Sequence, residues 1–341
     1  MAIINSEVIR VTPFIRDIIQ TIKFTVIKYN TLSSKNTILQ NFSGIYTAES
    51  IIKEILVNYK FKSEYVFKHD SNTIYVHFYH KGDITIMDSL DILLLAIKGL
   101  YFIKSSNKKN ISVTVNYCPV EFKKEFTGPI FGPNNVNSGF TQFYMNRPNF
   151  ISIYRKEESH KVFIHEMVHY LHLDFVHINC SEIHNNIEKD FSIISPKSNI
   201  NLFEAYTDGI AIIYNCIFNA ILLGDDIYDI LDYEIKYQYT LINSILNTIG
   251  SSHILTKLNR SGIRLQQKSN VLAYYFIKYG AMVDYNNLMK KYPLTVKWTK
   301  YKIREFYMYA KKNLYELDRK TNIKWDKTMR MSKNSIVFNI F

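Results

Sequence analysis

Cysteine, proline and glycine are all in short supply, and each scarcity closes off a class of protein. Three cysteines in 341 residues, Cys118, Cys180 and Cys216, are too few for a disulfide scaffold and show no metal-ligand spacing. They fit a reducing compartment. Seven prolines and eleven glycines are too few for a disordered or loop-rich β chain, and with 26 tyrosines and 22 phenylalanines the composition favours long helices. The length suits one large or two ordinary domains. No basic start followed by an apolar run opens the chain, so no secretory signal is expected, and an intracellular, cytoplasmic setting is. Of the two most apolar stretches, Ile84–Ile103 is interrupted by Asp88, Asp91 and Lys98, and Gly209–Gly224 is short and carries Asn215 and Asn219. A bilayer span needs about 20 apolar residues, so both read as buried helices and no transmembrane segment is expected.

Acidic residues are outnumbered, which leaves a formal net charge of +12. Such a charge admits nucleic acid, an anionic membrane surface or an acidic partner. Lys, Ile, Asn, Tyr and Phe are raised together, however, as AT-rich codons would raise them, so coding bias accounts for the charge better than a partner does.

The patterning divides the chain into three. Residues 1–65 form an amino-terminal, mainly helical segment, in which Ile51, Ile52, Ile55 and Leu56 predict a helix over Thr47–Tyr59 capped at Thr47. Residues 66–178 read as an α/β subdomain. Thr73–Tyr79 and Ile111–Tyr117 alternate as strands do, around a helix that Asp88 can cap and that runs to Ile103. Phe140–Met145 and Ile151–Arg155 then predict a hairpin turning at Asn146-Arg147-Pro148-Asn149. Residues 179–341 are irregular to Asn201 and helical beyond it.

After the hairpin the period changes. Val162, Phe163, Met167 and Leu171 recur at helical spacing, with Glu157 and Glu158 placed in the first turn, where the helix dipole favours acids. On this helix stands His165-Glu166-Met167-Val168-His169. Two histidines four apart bring both imidazoles to one metal ion, and Glu166 points off the ligand axis, free to take a proton from water. Chance would produce such a string about once per eighty chains of this composition, and its apolar flanks make a solvated surface helix the poorer explanation. One zinc ion per chain is therefore expected.

A catalytic zinc needs a third protein ligand. His172 lies about 10 Å along the helix from His165, too far unless the helix breaks. A metzincin arrangement fails because His172 and Phe175 stand where its glycine and third histidine would be. Downstream, Glu204 and Asp208 share one face of the next helix, so the first can bind metal while the second holds a ligand histidine.

His165-Glu166-x-x-His169 followed by Glu204-Ala205-x-Thr207-Asp208 resembles the gluzincin metallopeptidases, the thermolysin-like class. The resemblance covers roughly 137–209. It implies a zincin-like α+β fold: a small mixed sheet with an edge strand and an active-site helix, followed by a mainly helical carboxy-terminal half. It also implies Glu166 as general base, His165, His169 and Glu204 as zinc ligands, and Asp208 as the partner of a ligand histidine. Asn137, Ser138 and Gly139 would open a strand that pairs with a peptide or protein substrate. More loosely, Asn137–Thr141 and Arg155–Glu166 resemble zinc metallopeptidases of large DNA viruses, which would suit the AT-rich composition and a host-cytoplasmic or virion location.

Tyr206, His253, Tyr274 and Tyr275 are candidates for a hydrogen-bond donor to the reacting carbonyl. The other histidines between 160 and 184, His160, His172, His177 and His184, read as solvated or satisfied core residues. The alternative to an enzyme is a basic nucleic-acid-binding or interaction protein on a zincin scaffold. Lys297, Trp298, Lys300, Tyr301, Lys302, Arg304 and Phe306 interleave charge with aromatics. Nucleic acid is not favoured, because the aromatics fall at near-helical spacing and suit an amphipathic helix.

Overall fold

Period-two alternation in the first half of the chain builds one sheet, and period-3.6 runs cover it. The computed structural model describes residues 2–44, 47–125, 128–145, 148–195, 200–315, 323 and 328–333. Helix α1 (Ala2–Thr21) leads into β1 (Lys23–Leu32), then α2 (Lys35–Phe42) and α3 (Glu49–Asn58). A hairpin of β2 (Phe61–His69) and β3 (Asn72–His80) follows, then α4 (Ile86–Ser105) and β4 (Ser112–Tyr117). After β5 (Ile130–Phe131) and α5 (Pro133–Val136) comes a second hairpin, β6 (Gly139–Gln142) and β7 (Phe150–Ile153). The order in the six-stranded sheet is β1-β2-β3-β4-β7-β6. β3, β4 and β7 run parallel, and β6 lies antiparallel to β7 at one edge.

The helical half comprises α6 (Ser159–Tyr170), α7 (Ser181–Asp190), α8 (Leu202–Leu223) and α9 (Ile227–Thr248), then a π-helical turn (Leu272–Ile277) continuing into α10 (Lys278–Met282), α11 (Tyr285–Lys291) and α12 (Lys300–Leu314). A small parallel sheet of β5, β9 (Leu265–Gln267) and β8 (Ile193–Ile194) ties the two halves together. The whole is α+β with a mixed sheet.

Several local expectations need correction. The α3 cap is Ala48, without a side-chain bond, rather than Thr47. For α4 the cap is Thr85, whose hydroxyl accepts from the Asp88 amide while Asp88 bonds back to the Thr85 amide at 2.9 Å; Asp88 completes a capping box one turn in. Glu157 and Glu158 precede α6 rather than filling its first turn: Glu158 is the cap residue, in a left-handed conformation at φ 54°. The stretch 179–201 holds α7, whose Ile183 and Ile187 face inward. The strands of the second hairpin stop at Gln142 and Ile153, and part of its expected turn, Asn146 and Arg147, lies outside the described residues.

Packing fixes α6 in place. Val162, Phe163, Ile164, Met167 and Val168 are all buried, and each such side chain contributes about 1.5–3 kcal/mol by leaving water. Gly99 of α4 lets the layers close: a Cβ there would stand 2.4 Å from Ile74 on the sheet and 2.7 Å from Phe163 on α6. α8 is the one helix among the described residues long and apolar enough to cross a bilayer, and 83% of its most apolar window is buried within the molecule. In the basic stretch near α12, Trp298 and Phe306 pack inward, Trp298 with its ring 4.5 Å from Phe175, while Tyr301 is exposed. That is an amphipathic helix with a solvated cationic face.

Candidate metal centre

Helix α6 carries His165, Glu166 and His169 along one face, and the amino-terminal turn of α8 brings Glu204 against them. His165 Nε2 lies 3.1 Å from Glu204 Oε2 and 3.2 Å from His169 Nε2, and His169 Nε2 lies 3.5 Å from the same carboxylate oxygen. The three atoms make a small triangle. Tetrahedral zinc with ligands at about 2.0–2.1 Å sets its ligand atoms about 3.3 Å apart, which is the size of this triangle.

The other imidazole nitrogens explain why a cation suits the centre. His165 Nδ1 meets Asp208 Oδ1 at 3.0 Å, and His169 Nδ1 meets Asp174 Oδ2. With each Nδ1–H donating to its carboxylate, each ring presents an Nε2 lone pair once the proton there is lost. Two lone pairs and one carboxylate then converge on a single point. In the metal-free chain burial would raise the Glu204 carboxyl, but the two histidines, themselves raised by their carboxylates, donate Nε2–H to it and bring it down to about 2; a metal ion would take the place of those protons. His165, His169 and Glu204 together could hold a metal ion.

Glu166 stays out of the triangle. Its Oε2 accepts from the Thr141 hydroxyl at 2.8 Å, and burial raises its pKa against the pull of both histidines and that hydroxyl. Thr141 lies on β6, so the sheet edge itself orients the carboxylate. Gly139 is what allows this approach, since a Cβ there would meet the Ser152 carbonyl at 2.8 Å and Val162 at 2.9 Å. Asn137, Ser138 and Gly139 line the space beside Glu166, and Asn137 accepts from the Ser269 hydroxyl at 3.2 Å. The centre opens into a cleft of about 190 Å³ walled by β6 and by Phe143, Val176, Phe203 and Tyr274.

Beneath His165 lies a buried ionic floor. Asp208 takes Lys161 Nζ at 2.7 Å and Lys278 Nζ at 2.9 Å, and is held well below the usual carboxylate range: burial opposes this, but the two lysines and His165 prevail. Glu158 accepts from Lys124 and from the amides of Met331 and Ser332 at 2.7 and 2.9 Å. This floor holds residues 331–332 against the start of α6.

Of the proposed hydrogen-bond donors, Tyr274 alone lines the cleft, with its ring 6.0 Å from His165. Tyr206 donates to the Tyr292 and Pro293 carbonyls, Tyr275 to Met329 at 2.6 Å, and His253 Nδ1 accepts from the Leu255 amide. Tyr274 reaches the cleft from the π-helical turn, a geometry often found at functional sites. α6 ends at Tyr170, but His172 then adopts φ 52° and turns to His177 at 3.1 Å and to the Phe143 ring, away from the triangle. Asp174, Lys161, Lys278 and Thr141 were not anticipated. Lys161 had a signal: a lysine four residues before His165, on the same face of an otherwise apolar helix. Comparisons with protein-family models, curated proteins and solved structures return no match.

Proposed function

We propose that the protein is a zinc metallopeptidase of gluzincin type on a zincin-like fold. The observation that carries this reading is the triangle of His165, His169 and Glu204 lone pairs beside an uncoordinated Glu166, at the foot of a sheet edge. A scaffold has no use for a buried carboxylate that binds no metal and faces a cleft.

Zinc held by the three ligands would supply Lewis acidity, lowering the pKa of water toward neutrality and polarising a carbonyl. The protein's own groups do the rest. A peptide in extended form adds to β6 by backbone hydrogen bonds, which sets its scissile carbonyl above the histidines. Glu166, fixed through Oε2 by Thr141, takes the proton of the attacking water on its other oxygen and returns it to the departing amine. Tyr274 donates to the carbonyl oxygen as negative charge develops there. Its burial, together with the charges of Glu204, Glu166 and Asp208, keeps its hydroxyl protonated at neutral pH.

Metal analysis of the purified chain should give one zinc per molecule. Glu166→Gln should keep the zinc and lower hydrolysis of a peptide library by at least about 10²–10⁴-fold, the range for removing a positioned base. Absence of zinc sinks the reading, and hydrolysis that survives the substitution sinks the role of Glu166.

A further inference from the structure

A second, smaller cavity of about 30 Å³ opens beside Glu166 on the side away from Phe143 and Val176. It shares Asn137, Gly139, His165, Glu166 and Tyr274 with the cleft, so the two spaces adjoin at the base. Lys124, Lys161 and Met331 line this cavity and not the cleft. Both lysine side chains are at most 2% exposed.

Glu166 and Asp208 line the cavity as well, so its ionic groups balance in number, but the hydrogen bonds of its ammoniums are not all filled. Lys124, Lys161 and Lys278 share two carboxylates, Glu158 and Asp208. The oxygens of Asp208 are already engaged by Lys161, Lys278 and His165. Of the acids beyond these, Glu157 accepts from the Lys124 amide at 2.7 Å, and Glu234 accepts from Lys333, Ser332 and Gln238. Each ammonium has three N–H groups. Among the described residues Lys124 gives a hydrogen bond only to Glu158, while Lys161 gives one to Asp208 and a long one to the Met331 sulfur at 3.8 Å, and lies 3.7 Å from Glu158. The buried Ser138 hydroxyl, which also lines the cavity, has no hydrogen-bond partner among the described residues. The space holds about two waters, or the two oxygens of a carboxylate.

We infer that this cavity receives a carboxylate of the substrate, next to the scissile bond, on the Lys124 and Lys161 ammoniums and the Ser138 hydroxyl. The inference rests on the peptidase reading. The carboxylate is either an acidic side chain, which makes the protein an acidic-residue-specific endopeptidase, or a chain terminus, which makes it a carboxypeptidase.

The test uses the zinc-loaded full-length protein and two sets of synthetic peptides. One set, amidated at the carboxy terminus, differs only by Glu against Gln beside each candidate bond. The other lacks acidic residues and compares free-acid with amidated termini. A preference of at least about tenfold for the carboxylate is expected in one set, and which set shows it names the source. Cleavage with no preference in either set overturns the cavity assignment and leaves the peptidase standing. The same peptides are titrated calorimetrically into the Glu166→Gln protein. Tenfold tighter binding of the carboxylate form without cleavage by the wild type would keep the cavity and overturn the peptidase, and equal affinities overturn the cavity.

Lys124→Gln combined with Glu158→Gln removes one charge of each sign, so it does not leave a bare buried ion. It should reduce the preference to below about threefold, with continued cleavage of the Gln or amidated peptide reporting an intact fold. An undiminished preference in that variant overturns the assignment to Lys124. If the double variant does not fold, Ser138→Ala serves instead, with a loss of about threefold to tenfold in the preference expected and no change overturning it.

Discussion

The two histidines of the centre rest on very different supports. His165 stands on Asp208, a fully buried carboxylate on α8 that two lysines neutralise from below. His169 stands on Asp174, in the turn after α6, whose other contacts are the Thr207 hydroxyl at 3.4 Å and the Val176 amide at 3.2 Å. Both carboxylates fix the tautomer of an imidazole. Only the first is a node in a charge network that also anchors residues 331–332. One position therefore serves fold and site together, and the other serves the site alone.

Removing the charge at the first support should have the largest effect. Asp208→Asn keeps an acceptor for His165 but leaves Lys161 and Lys278 with one remaining carboxylate, Glu158, near Lys161. Breaking a buried pair in this way costs about 3–5 kcal/mol, which urea denaturation of the metal-free protein should register. A loss within about 1 kcal/mol would show that the floor is not what holds the helical half to α6.

Another buried cation tests whether the lysines beneath His165 depend on their carboxylates. Lys98 on α4 is fully buried and bonds Asn215 Oδ1 at 2.7 Å and Asn219 Oδ1 at 3.0 Å, with no carboxylate in contact among the described residues. Burial lowers its pKa to about 7, against 10.5 for the free side chain. Below pH 7 both folded and unfolded chains carry this proton, so the burial penalty is complete. Between pH 7 and 10.5 the unfolded chain binds more protons, so stability rises with pH and the penalty shrinks. Lys98→Met removes the penalty, and its advantage over the wild type should fall by about 2 kcal/mol between pH 7 and pH 9. A pH-independent difference would mean that the two asparagines solvate the ammonium as well as water does.

The part of this arrangement legible in the sequence is the part carried by spacing within one helix. His165, Glu166 and His169 announce themselves at i and i+4, and so do Glu204 and Asp208. The strands β3 and β4 alternate because one face is buried and one is not. β1 gives no such signal, since nearly all of its residues are exposed on both faces, and Pro13 inside α1 reads as a helix break. The floor was hidden for another reason. Lys161 meets Asp208 across 47 positions and Lys278 meets it across 70, and such pairings follow from the tertiary packing of α6, α8 and α10. Tyr274 and Tyr275 could not be separated because the π turn shifts the helical phase by which neighbours are assigned to faces.

Asp174 was equally hidden, because its approach to His169 depends on the left-handed turn at His172. Its substitution is the smallest of these perturbations and the most specific. Asp174→Asn still accepts from His169 Nδ1, and no buried lysine loses its partner, so stability of the metal-free protein should change by about 1 kcal/mol or less. What weakens is the charge that makes the His169 ring a strong donor to metal. Loss of such an outer partner lowers zinc affinity by about 10–100-fold, which competition against a chromophoric chelator measures directly. A variant that binds zinc as tightly as the wild type would reduce Asp174 to a loop-closing residue. A variant as unstable as Asp208→Asn would erase the difference between the two supports, because the turn after α6 would then bear on the fold as heavily as the floor beneath it.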